Sequence, residues 1–202
     1  MEISDINVFL EGAYDVLNDR FFSGELPRVK ITIQSSPRTY GHFTPWNAWS
    51  DGETGYPEIN LSAESLNRPL ENVLATLQHE CVHCYCYQAG IKDTSRHGTY
   101  HNRRFRDEAE ARGLIIDYDP KIGYSLTRPA QELLDLIQEY GWQDVSLVRQ
   151  TAPTIPGGGS SGGSRSTVRK YQCPICGCSI RATKDVSIAC LDCNARMFLV
   201  EK

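Results

Sequence analysis

Long apolar runs are missing from this 202-residue chain. No stretch approaches the roughly 18 consecutive apolar residues that a membrane-spanning helix needs, so no such helix is expected. A basic leader is lacking too. Residues 1–22, MEISDINVFLEGAYDVLNDRFF, carry acids where a secretory signal carries Lys or Arg, and they place apolar residues at helical spacing. The expectation is a soluble, cytoplasmic protein. Internal repeats are absent, and so is a disulfide-like spread of cysteine. Of eight cysteines, Cys81, Cys84 and Cys86 share one helix-like segment, while Cys173, Cys176, Cys178, Cys190 and Cys193 crowd the C-terminal end. In a reducing cytosol the second cluster points to metal.

With 40% hydrophobic and 23% charged residues, the chain can build one ordinary core and a small appendage. The net charge of −4 hides an asymmetry. Residues 165–202 hold seven Lys/Arg against three Asp/Glu, leaving fourteen against twenty-two in residues 1–164. A basic end on an acidic body is compatible with a polyanionic partner or with a merely solvated tail.

Residues 4–20 put Ile6, Phe9, Leu10, Ala13, Tyr14 and Leu17 on one stripe behind Ser4 as a cap, the pattern of an amphipathic helix. VKITIQ alternates as a strand, a second strand is expected at 40–43, and PEINLS supplies a third. TPWNAWSDGETGY between them reads as a loop with aromatic anchors. Three successive strands favour a hairpin-like, largely antiparallel sheet. The longest helical pattern runs from Pro69 to about Tyr87 and stops at Gly90. A polar loop, KDTSRHGTYHN, leads to the charged helix RRFRDEAEARG, then to strands LIIDY and GYSLT and the helix PAQELLDLIQEYGW. Residues 151–167, rich in Gly, Pro, Ser and Thr, read as a flexible tether between a domain at 1–150 and a module at 168–202.

The chemistry concentrates in HECVH, residues 79–83. His79 and His83 are four residues apart, which on a helix leaves them about 40° apart on one face and one turn from each other. That geometry grips a single ion. Glu80 flanks the same cavity and can reach a water beside the metal without ligating it, the role of a general base. Two histidines need a third protein ligand, usually His or a carboxylate, and the histidines downstream are His97 and His101. Cys81 falls about 200° around the helix from His79, and Cys86 lies about two turns beyond it, so Cys81, Cys84 and Cys86 read as small buried hydrophobes.

INLS, then TLQHECVHCYCY, then a histidine followed four residues later by an aromatic, resembles the SprT-like (Spartan-like) zincins. That family shows an H-G-x-x-F element at the third ligand. His97-Gly98 reproduces the His-Gly pair, whereas His101 stands four residues before Phe105. His101 is the preferred register and His97 the alternative. The resemblance covers residues 5–113 and, through a C-terminal ribbon, 171–200. It implies an α+β zincin-like fold, a short and mainly antiparallel sheet plus the HExxH helix, and a zinc-dependent, DNA-activated endopeptidase acting on proteins crosslinked to DNA. Tyr100 or His97, with Tyr85 a third choice, could donate to the developing oxyanion.

Cys173-x2-Cys176 and Cys190-x2-Cys193 are two knuckles that close a four-thiolate tetrahedron around a structural zinc, leaving Cys178 over. Two zinc ions are expected, one catalytic and one structural. Around the ribbon, Arg165, Arg169, Lys170, Arg181, Lys184 and Arg196 could pair phosphates, with Tyr171 and Phe198 stacking on unpaired bases. A second reading keeps the ribbon as the working part: a nucleic-acid-binding regulator whose HExxH site is structural or weakly active.

Overall fold

Apolar residues at helical spacing fold the start of the chain into α1, Ile3–Phe22, in the computed structural model, which describes residues 3–36, 38–147 and 169–200. Ile6, Leu10, Ala13, Tyr14 and Leu17 are buried on one side of it, as the stripe predicts. Ser4 lies inside the first turn and not ahead of it. The described residues divide into two units, one within 1–150 and one within 151–202. The tether at 151–167, and Arg165 with it, lies outside them.

In the first unit α1 is followed by β1, Lys30–Gln34, β2, Gly41–Ser50, and β3, Gly55–Ser62. They form one sheet in the order β1-β3-β2. The expected, largely antiparallel arrangement is corrected here. β1 runs parallel to β3, with Ile31 opposite Ile59, and only β2 is antiparallel to it. Strand period says which side chains share a face but nothing about direction, and chain order does not fix neighbours. The expected loop at 44–56 is mostly strand as well. β2 runs on through Trp46 and Trp49, bulges between Thr44 and Trp49, and turns at 51–54, where Asp51 Oδ1 accepts the N–H groups of Glu53 and Thr54. Pro45, Gly55 and Pro57 disguise this hairpin as a loop.

α2, Leu70–Gln88, carries HECVH and packs on the sheet, α1 and the later elements through Val73, Leu74, Leu77, Cys81 and Val82, all essentially inaccessible. Gly90, at φ 68°, lets the chain reverse so that Ile91 N–H reaches Cys86 O. The segment expected as a polar loop holds a small hairpin, β4, Thr94–Ser95, and β5, Tyr100–His101, joined through left-handed Arg96, His97 and Gly98. Strands of two residues have no readable period.

α3, Arg103–Glu110, follows at once. Asn102 caps it by accepting the N–H groups of Arg104 and Phe105. β6, Leu114–Asp119, and β7, Gly123–Pro129, complete a second sheet in the order β4-β5-β7-β6, and α4, Gln131–Glu139, packs Leu133, Leu136 and Ile137 inward. The architecture is α+β.

The second unit is a sheet ordered β12-β8-β9, from β8, Arg169–Gln172, β9, Ser179–Ala182, and β12, Phe198–Val200. A minimal hairpin of β10, Ala189–Cys190, and β11, Ala195–Arg196, joins it. Among its described residues the buried apolar set is Tyr171, Cys173, Cys190 and Met197. No described helix of either unit is long and apolar enough to cross a membrane.

Candidate functional site

α2 presents His79 and His83 one turn apart, and β5 delivers His101 to the same point. Their Nε2 atoms stand 3.2 Å (His79–His101), 3.2 Å (His79–His83) and 3.1 Å (His83–His101) apart. Hydrogen bonding cannot satisfy such a triangle, because each ring nitrogen is either one donor or one acceptor and some pair must be alike. A tetrahedral zinc with Zn–N of about 2.0–2.1 Å sets its ligand nitrogens about 3.3–3.4 Å apart. The donor set therefore fits that ion, and these three residues are one of two metal-competent clusters among the described residues.

Two of the three outer ring nitrogens are also held. His79 Nδ1 lies 2.7 Å from Thr127 Oγ1, whose own hydrogen goes to Ser125 O, and His83 Nδ1 lies 2.5 Å from Asp93 Oδ2. Both bonds place the proton on Nδ1 and aim the Nε2 lone pair inward. His101 Nδ1 is buried without a partner. Burial, reinforced by the neighbouring His83, holds His79 well below the usual histidine range and His101 down at about 4, so both rings are neutral and able to ligate. Beneath all three lies Phe105, fully buried, with ring centroids 4.5, 4.6 and 4.7 Å from His79, His83 and His101.

Glu80 is 5% exposed, and burial pushes its carboxyl up to about 7, opposed by His83 and by the backbone N–H of Phe43, which it accepts. A cation beside it would draw that value down again. Gly41 makes the approach of β2 possible, since a Cβ there would meet Glu80 Oε1 at 3.1 Å and Asn60 O at 3.0 Å.

His97 is not part of the cluster; it is exposed in the β4–β5 turn with φ 57°. Tyr100 turns its hydroxyl to that of Tyr118, 3.3 Å away. Tyr85 lies under the Arg112 guanidinium, 3.6 Å from its ring centroid. Cys81, Cys84 and Cys86 are buried small side chains, and burial raises all three thiols, Cys84 and Cys86 to about 12. Asp93, Thr127, Gly41 and Asn102 were not singled out from sequence. Asn102 alone had a local signal, a capping residue just before a helix.

The second cluster joins Cys173, Cys176, Cys190 and Cys193. Cys176 and Cys190 Sγ are 3.7 Å apart, against about 3.8 Å for a tetrahedral edge at Zn–S of about 2.3 Å. Each knuckle ends in a left-handed residue, Gly177 at φ 72° and Asn194 at φ 48°. Backbone N–H groups of Cys176 and Ile175 draw the Cys173 thiol down to about 7. Cys178 is exposed, and its carbonyl accepts Cys173 N–H.

Among the cations expected to meet nucleic acid, Lys170, Arg181 and Lys184 are exposed, Arg196 reaches Ser187 Oγ, and Arg169 is paired with Asp185 at 2.9 Å. Tyr171 corrects its expected stacking role. Its ring is buried in the ribbon's small core and its hydroxyl bonds Asp185, so no base can reach its face. Phe198 is exposed.

Among curated relatives, the DNA-dependent metalloprotease SPRTN of Bos taurus is 30% identical over 99 residues, 48% of this chain and 20% of that protein. An uncharacterized protein in the mucB 3′ region of Salmonella typhimurium is 43% identical over 47 residues, 23% of this chain and 62% of that protein. The matches thus span a fifth of one relative and less than two thirds of the other. No solved structure matches the chain. The model of the SprT-like family matches residues 10–117, more than half of the chain. That span begins in α1, takes in the HECVH helix, β5 and α3, and ends in β6, so it covers the framework that brings the three histidines together, and the chain belongs to the SprT-like family.

Proposed function

We propose that this chain is a zinc-dependent endopeptidase of the SprT-like type, associated with DNA and acting on DNA-bound or DNA-crosslinked proteins. In this reading residues 1–150 are the peptidase domain, 151–167 a tether and 168–202 a zinc ribbon. The observation that carries it is the triangle of Nε2 atoms on His79, His83 and His101 with Glu80 on the same helix. Family membership supports a metalloprotease-type function. The name of the bovine relative and the exposed ribbon cations support the association with DNA.

His79, His83 and His101 hold the catalytic ion, and Cys173, Cys176, Cys190 and Cys193 the structural one. Bound zinc supplies Lewis acidity, polarising a peptide carbonyl and lowering the pKa of an adjacent water. Glu80 takes the proton of the attacking water and returns it to the leaving amine. Its buried carboxylate is held by Phe43 N–H, so it keeps its place while the proton moves. Thr127 and Asp93 fix the tautomers of His79 and His83 through the whole cycle.

Cleavage of a DNA-binding protein by the full chain, with and without DNA, tests the proposal beside zinc content by mass spectrometry. Wild type should cleave, and Glu80→Gln should retain both zinc ions and lose cleavage by about a hundredfold or more. Undiminished proteolysis in Glu80→Gln would refute the assignment. A wild type that binds DNA tightly and cuts nothing would favour the regulator.

A further inference from the structure

Three tyrosines from three strands meet on the second sheet of the first unit: Tyr100 on β5, Tyr118 on β6 and Tyr124 on β7. The hydroxyls of Tyr100 and Tyr118 are 3.3 Å apart, and the rings of Tyr118 and Tyr124 are 5.0 Å apart, tilted by 54°. A guanidinium covers each end. Arg96 lies 4.4 Å from the Tyr100 ring centroid, and Arg106 lies 5.0 Å from that of Tyr124. Arg96 also donates to Lys121 O at 3.5 Å, which brings the β6–β7 turn and its lysine to the same end.

A cluster serving only the core would cover its rings. Tyr118 is instead 52% exposed at the middle of the ladder. The acids nearby are already engaged: Asp117 with Arg128, Asp119 with the N–H groups of Lys121 and Ile122, Asp107 and Glu110 with Arg106. Arg96 and Lys121 have no ion pair among the described residues. Charge along the chain agrees. Residues 92–128 hold eight Lys/Arg against six Asp/Glu, whereas residues 1–91 hold five against twelve. The ladder is thus the basic, aromatic section of an acidic unit.

We propose that this tyrosine–arginine ladder binds single-stranded nucleic acid, stacking an unpaired base on the open face of Tyr118 while Arg96 and Lys121 meet the adjoining phosphates. Flat exposed rings interleaved with cations suit bases and phosphates together. An acidic peptide would satisfy the cations and leave the rings unused. The inference rests on the DNA association proposed above and gives it a place on the first unit, apart from the ribbon cations. The ladder and the histidine cluster share a strand, because Tyr100 and His101 are consecutive on β5 and point to opposite faces of it. Gly123 permits that junction: at φ 74°, a Cβ there would meet His101 O at 2.1 Å and Tyr100 Cε1 at 3.0 Å.

Fluorescence anisotropy of labelled oligo(dT) and oligo(rU) titrated with the full chain tests the site. Because ribbon cations could also hold the probe, each variant is measured in the wild-type chain and in a Lys170→Glu/Arg181→Glu background. Tyr118→Ala should weaken binding by about tenfold in both, whereas Tyr118→Phe, which keeps the ring, should stay within about twofold. Arg96→Ala should weaken binding and flatten its salt dependence by about one phosphate contact. Equal affinity for both probes would mean a site blind to the sugar, and a preference would name the source; either supports the ladder. Unchanged affinity in Tyr118→Ala in both backgrounds would overturn it, as would inorganic polyphosphate competing as well as oligo(dT). The readout is binding, so a failure of the peptidase reading would appear in cleavage and leave this result standing.

Discussion

The two metal-competent clusters are built from opposite directions. Four cysteines between 173 and 193 converge inside a unit whose buried apolar set, among the described residues, is four side chains, two of them cysteines of the cluster itself. The histidine site draws on residues 79, 83, 93, 101, 105 and 127, which meet only because α2, β5, α3 and β7 pack around a core of fully buried Leu, Val, Ile and Phe side chains. On the proposed reading the metal organises the fold in the ribbon, whereas at the histidines the fold organises the metal.

Metal removal should separate them most widely. Structural zinc in small modules contributes apparent binding energies of about 10–16 kcal/mol, far beyond what four buried residues supply. Chelation, or Cys190→Ser, should therefore unfold the ribbon, with loss of amide protection in 169–200 by hydrogen exchange. Residues 3–147 should keep their protection when the histidine site is emptied. A ribbon that stays protected without metal would break the contrast.

This division also explains what could be read in advance. HECVH and the paired Cys-x2-Cys knuckles are local patterns, where spacing alone sets geometry, and α1 and α2 appear within two residues of their expected ends. Asp93 and Thr127 are 10 and 48 residues from the histidines they orient, so no spacing announces them. The parallel pairing of β1 with β3 is equally non-local. The β4–β5 hairpin was hidden because its turn holds two non-glycine residues, Arg96 and His97, in the left-handed region. That turn separates the two candidate third ligands: His97 sits on its tip and His101 on the strand that leaves it.

A smaller effect sharpens the comparison at the oriented nitrogens. Outer partners of metal-bound histidine are worth about 10–100-fold in metal affinity. Asp93→Asn keeps the shape and a weaker acceptor, and it should lower zinc affinity of the histidine site by roughly tenfold, read by competition with a chromogenic chelator. The ribbon's zinc should be unaffected. Equal loss at both sites would show general destabilisation, and no loss would remove Asp93 from its positioning role.

The smallest expected effect lies at Asn102, which follows His101 where, in the preferred register, the H-G-x-x-F element of the resemblance would put glycine. Its side chain caps α3 and also donates to Lys92 O at 2.8 Å, while its backbone N–H donates to Asp93 O at 3.0 Å. Asn102 therefore ties the loop that orients His83 to the helix start behind His101. Glycine is nearly as good a cap as asparagine, within a few tenths of a kcal/mol, whereas alanine costs about 1 kcal/mol. A purely local cap predicts that Asn102→Gly leaves both the urea midpoint and zinc affinity unchanged. The tie to Lys92 predicts instead a nearly unchanged midpoint with zinc affinity lower by about two- to tenfold, the worth of one hydrogen bond of about 0.5–1.5 kcal/mol. Asn102→Ala should add the lost cap to the midpoint without a further loss in zinc affinity. If the glycine variant holds zinc as tightly as wild type, the asparagine is a cap alone, and the two histidine-bearing segments are positioned by their backbone contacts.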